Sequence, residues 1–126
     1  MSKITRETAY ATTIGDALLL IHHDRPWDNG LTMGGDLIVH LASAHWLADQ
    51  IHQAVDDWSA PDVDRHMPPY HFLVYTRGCE HGDRINVNVQ NLRDPAASRG
   101  QVYALSGVSP AAAMKIVAQL RTLKPQ

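Results

Sequence analysis

Residues 59–69, Ser-Ala-Pro-Asp-Val-Asp-Arg-His-Met-Pro-Pro, hold three prolines and divide this chain near its middle. Proline fixes φ and offers no backbone N–H, so neither a helix nor a central strand can run through the stretch. Flanks of about 58 residues remain on either side, each marginal as an independent fold. The expectation is one domain of residues 1–126, crossed by a long loop that joins two halves.

Hydrophobic periodicity sets the elements of each half. Residues 5–13 are rich in β-branched and small side chains, read as a strand, and end at Gly15-Asp16. Ala17 to His23 form an apolar run that suits a buried strand, broken by Arg25-Pro26-Trp27-Asp28-Asn29-Gly30. In the third strand, within residues 32–42, Leu37, Val39 and Leu41 alternate with Asp36, Ile38 and His40. Ser43 is placed to cap a helix over 44–58, whose apolar stripe is Leu47, Ile51, Ala54, Val55 and Trp58.

The second half repeats the order. Strands are expected over 70–77, 84–92 and 101–105, and the middle one alternates Ile85, Val87 and Val89 with Asn86, Asn88 and Gln90. Ser109-Pro110 then opens a helix with an inward stripe of Ala113, Ile116, Val117, Leu120 and Leu123. The sum is an α+β fold of order βββα-βββα, a largely antiparallel six-stranded sheet with two helices on one face. Gly15-Asp16 and Gly82-Asp83 each open the second strand of a half, and Asp24-Arg25-Pro26 and Arg93-Asp94-Pro95 close it, echoes that a weak internal duplication would leave although the spacings differ by a couple of residues.

Composition narrows the classes of function. Eleven basic against thirteen acidic side chains give a net charge of −2, which disfavours nucleic-acid binding through bulk charge. No apolar run approaches the ~20 residues that cross a bilayer, so no membrane association is expected. A single cysteine, Cys79, and no apolar signal region behind Met1 suit a soluble cytoplasmic protein.

Eight histidines are the compositional oddity, about 6% of the chain where about 2% is usual. His45, Asp49, His52 and Asp56 fall at i, i+4, i+7 and i+11 and so share one helix face. Imidazole and carboxylate together are ligands for a divalent metal such as zinc. Exposed His–Asp pairs on helices are also common, and the H-E-x-x-H spacing is absent, so the metal reading ranks second. His22 and His23 are neighbours on a strand and must point to opposite faces, so at most one joins an inward site. His40 and His71 fall on other strands. Cys79-Glu80-His81 sits on a turn, where polar residues gather for backbone reasons.

Phosphate-loop, G-x-S-x-G and deaminase motifs are missing, and no catalytic residue stands out. Trp27 and Trp58 flank loops, and Asn86, Asn88 and Gln90 line one face of a strand, both features of binding surfaces. The first expectation is a non-catalytic binding module, without cofactor, that meets a protein partner or pairs with itself as a homodimer. A histidine-dependent enzyme or metal-binding protein is the alternative, and a nucleic-acid-associated protein comes third.

Overall fold

The computed structural model describes residues 6–26, 32–59, 61–77, 84–93 and 103–124. The fold is α+β, with two helices and two antiparallel sheets. The first sheet is a meander of β1 (Thr8–Ile14), β2 (Leu18–Pro26) and β3 (Thr32–His40). Its register pairs Leu19 with Val39 and Ile21 with Leu37, and all four are buried, the row that alternation in the sequence marks. A 3₁₀ turn at Leu41–Ser43 leads into α1 (Ala44–Asp56).

Ser43 occupies the N-cap position of α1 but makes no side-chain cap bond, contrary to expectation. Its φ of −83° and ψ of −7° are helical, because the 3₁₀ turn has already wound the chain. A capping hydroxyl needs the extended backbone that aims it at the next amides. Ser109 has that backbone, with φ −67° and ψ 157°, and its side chain does accept from Ala112 N. Pro110 follows as the first residue of α2 (Pro110–Thr122).

The second sheet runs β4-β5-β6-β7. Its strands are β4 (Val63–Met67), β5 (Tyr70–Arg77), β6 (Arg84–Asn91) and β7 (Tyr103–Val108). β4 corrects the expected long loop: it lies between Pro61 and Pro68-Pro69, and among the described residues it pairs only with β5. The prolines bound the strand rather than interrupt it, and an edge strand needs a ladder on one side alone.

The expected single six-stranded sheet is replaced by these two sheets of three and four strands. The reason lies where β3 meets β7. Gly35 belongs to the same row of β3 as buried Leu37 and Val39, and a Cβ placed there would stand 2.5 Å from the Ala104 carbonyl oxygen. Arg25, on the buried row of β2, sets its guanidinium 3.0 Å from the Cβ position of Gly107. A strand added in plane would lie beside these rows, not in the direction their side chains point. β7 therefore crosses the buried side of the first sheet, and glycine at positions 35 and 107 admits the crossing. Gly107 also needs glycine for its φ of +69°.

Packing closes the domain around one core cluster that draws on both sheets and both helices. α1 and α2 pack on each other, α2 reaching β1 and α1 reaching β5. Trp46 is half-buried, its ring tilted 5.2 Å from Phe72 with the Arg65 guanidinium over it. No helix among the described residues is long and apolar enough to cross a membrane.

Candidate interaction surface

Adjacent histidines on β2 show how one strand serves two faces. His23 points inward and is fully buried, while His22 lies on the opposite face and is half-buried. Each has a different carboxylate environment, and the two pKa values are shifted in opposite directions from 6.5.

Inward, His23 Nε2 donates to Glu7 Oε2 at 2.6 Å. Glu7 also accepts from Ser109 N at 3.0 Å and from the Ser109 hydroxyl. One carboxylate thus ties the segment before β1 to β2 and to the start of α2. His23 Nδ1 is buried with no hydrogen-bond partner among the described residues. Burial pushes the His23 pKa below its ordinary 6.5, outweighing the Glu7 carboxylate that favours the charged form. The Glu7 carboxyl is held below its ordinary 4.5, because bonds from Ser109 and His23 overcome the opposing effect of its own burial.

Outward, His22 Nδ1 donates to Asp36 Oδ1 at 2.5 Å and His22 Nε2 donates to Asp24 Oδ2 at 2.6 Å. Two donating ring nitrogens are the pattern of an imidazolium. Partial burial opposes that charge, yet the bonds to Asp36 and Asp24 prevail and raise the pKa above 6.5. Tyr10 stacks on the imidazole at 5.0 Å with planes 26° apart, which adds a ring face to the cation.

The register extends this group into a surface. Across β1, β2 and β3 the rows are Tyr10-His22-Asp36, Thr12-Leu20-Ile38 and Ile14-Leu18-His40. Tyr10, Ile14 and Ile38 are the exposed large apolar residues of this face, at 42%, 40% and 53%, and Leu18 and Leu20 lie half-buried between them. At the border with the second sheet, Asp36 and Ile38 join Val89, Asn91 and Tyr103 around a groove of about 480 Å³. Tyr103 is 45% exposed.

The sheet edges are less available than the face. Ala11 N on the outer strand β1 donates to Gln119 Oε1 of α2 at 2.6 Å, so the helix covers that edge. β4, an outer strand of the second sheet, is short and exposes Asp64, Arg65 and His66, which discourage strand addition.

The residues singled out by sequence disperse. His45 Nε2 donates to Leu123 O at 2.8 Å, and Arg121 donates to His52 Nδ1 at 2.8 Å while lying 3.6 Å from Asp49. Asp56 pairs with His52 at 3.3 Å. This face of α1 fastens the C-terminal part of α2, and among the described residues no three His, Cys, Asp or Glu side chains gather as ligands. Among the other histidines, His40 meets Tyr70 edge-to-face, while His71 lies 4.3 Å from His66 with the rings tilted by 42° and donates to Asp64 at 2.5 Å.

Of the binding candidates, Asn88 and Gln90 share a depression of about 190 Å³ with His71 and Leu73. Asn86 is buried and uses its Oδ1 to accept from Gly107 N at 3.0 Å. Trp58 is half-buried against the core, and its carbonyl accepts from Thr76. Trp27 and Cys79-Glu80-His81 lie outside the described residues. Sequence reasoning missed Glu7, Asp24, Asp36 and Tyr10. The one signal for them was the His22-His23 pair, which demands a polar partner on each side of the strand.

Compared with known proteins, the chain finds no match among family models or curated proteins.

Proposed function

We propose that this chain is a non-catalytic interaction module that docks another protein on the open face of β1, β2 and β3. The observation that supports it best is the continuous display of Tyr10, Ile14 and Ile38 around Leu18 and Leu20. Contiguous exposed apolar residues rimmed by charge mark interaction sites, and here Asp24, Asp36 and His22 supply the rim. The partner is a second copy of the chain, docking through another of its surfaces, or a different protein, and the mass of the complex separates the two. The same reading takes β1–β3 with α1 and β5–β7 with α2 as two copies of one βββα unit, with β4 added at the joint.

Histidine chemistry has less support. Both nitrogens of His22 are engaged by carboxylates, and His23 is fully buried, so neither offers a free nitrogen to a substrate. The test of the docking reading is the size of the chain in a native extract, followed by gel filtration. The wild-type chain is expected to elute above monomer size, and Ile38→Asp to move it to monomer size with its thermal transition kept. A wild-type chain that elutes as a monomer contradicts the reading.

A further inference from the structure

We infer that the groove lined by Asp36, Ile38, Val89, Asn91 and Tyr103 receives a lysine side chain of the docked protein. The inference rests on the docking reading above and adds the chemistry of the partner's anchor.

Charge points to a cation. Asp24 and Asp36 around a single imidazolium leave one net negative charge at this end of the face. Among the described contacts Asp36 uses only Oδ1, toward His22, so Oδ2 remains to meet a donor in the groove. Asn91 accepts from Arg93 N at 3.0 Å and keeps a second lone pair on the same oxygen. Arg93 itself is exposed and is the opposing charge nearest in sequence.

Shape selects the kind of cation. Asp36 and Ile38 are two residues apart on one face of β3, roughly 7 Å, a distance that a four-carbon stem covers. Ile38 and Val89 offer that stem an apolar bed. Arginine binds carboxylates best with a two-pronged fork, which needs both oxygens. With one oxygen held by His22, Asp36 suits the compact ammonium of lysine instead.

The experiment titrates the isotope-labelled full chain with the blocked tripeptide acetyl-Ala-Lys-Ala-amide, observed by amide NMR. Saturable shifts are expected at residues 36–38, 89–91 and 103, and Asp36→Asn should weaken binding about tenfold. Asp62→Asn changes an exposed carboxylate that does not line the groove and is expected to leave binding in place. The norleucine tripeptide keeps the stem and loses the charge, and it should not bind; equal binding would overturn the inference whatever the variants do. Preference for the arginine tripeptide would overturn the choice of lysine. Tighter binding of free 1,5-diaminopentane would overturn the protein source in favour of a small amine. If Ile38→Asp abolishes the larger species in extract while no lysine probe binds, the docking reading stands and the lysine inference falls. If the wild-type chain is a monomer, the docking reading falls first.

Discussion

Replacing Glu7 with alanine removes a carboxylate that accepts three hydrogen bonds, one from His23 and two from Ser109. Bonds to a charged acceptor contribute about 1.5–3 kcal/mol each, but three on one group are not additive. The Glu7 side chain is 22% exposed, so water recovers part of the loss, whereas His23 is fully buried and its Nε2–H is left without a partner. An orphaned buried donor costs about 1–3 kcal/mol by itself. The expected destabilisation of Glu7→Ala is about 3 kcal/mol, and for a chain of this size about 10 °C in Tm. Urea unfolding followed by tryptophan fluorescence measures it, with the midpoint falling and the m-value unchanged. The pH dependence carries a sign as well. His23, held below 6.5, and Glu7, held below 4.5, both take up protons more readily in the unfolded chain. Their stabilisation is whole above pH 6.5 and is lost in two stages as pH falls, first through the window of His23 and then through that of Glu7. A loss under about 0.5 kcal/mol at pH 7 would refute the clasp as a stabilising feature, since that is the scale of an ordinary surface change.

Further outcomes follow from the same geometry. His22 should titrate above 6.5 by NMR, its contribution whole below 6.5 and lost as pH rises through the raised value; with Asp36 56% exposed the effect stays below about 1 kcal/mol. A titration at or below 6.5 would contradict the two-carboxylate clamp. Gly35→Val should destabilise by more than about 2 kcal/mol, because its Cβ meets the Ala104 carbonyl and the crossing of β7 must open; calorimetry showing no change would place β7 elsewhere. Gln119→Ala uncovers the Ala11 amide, and a loss of about 1 kcal/mol with faster exchange of that amide is expected. Phe72→Ala should cost about 3–5 kcal/mol, since the ring is fully buried against Trp46 and Tyr70.

What the sequence makes legible here is what burial imprints on local pattern. The alternation of Ile85, Val87 and Val89 and the helical spacing of Ala113, Ile116, Val117 and Leu120 mark buried faces, and the structure buries each of them. β4 left no such mark, because Val63–Met67 pairs by backbone at an edge and has no fully buried side chain. The division into two sheets depends on Arg25 meeting Gly107 and on Gly35 meeting Ala104, residues far apart along the chain with no shared motif. For the same reason Glu7, which reaches Ser109 across 102 residues, gave no local sign. Ser43 shows the converse: a good capping residue lost its role to the turn before it. The spacing of His45, Asp49, His52 and Asp56 sets the four on one helix face. Spacing alone could not say that Arg121 and the Leu123 carbonyl of α2 would face it.

If the face of β1, β2 and β3 meets a protein, exposed Tyr10 lies at the contact. Photocrosslinking from p-benzoylphenylalanine at Tyr10 of the full chain, in living cells, tests it at the residue concerned. Tyr10 is exposed beside His22, so the substitution stays outside the core, and exposed Ala111 on α2 serves as the control position. One discrete adduct heavier than the monomer is expected from Tyr10 and none from Ala111, and the mass of that adduct separates a second copy from a different protein. Irradiated chain that stays monomeric at Tyr10, or that forms the same adducts from Ala111, would contradict the docking reading.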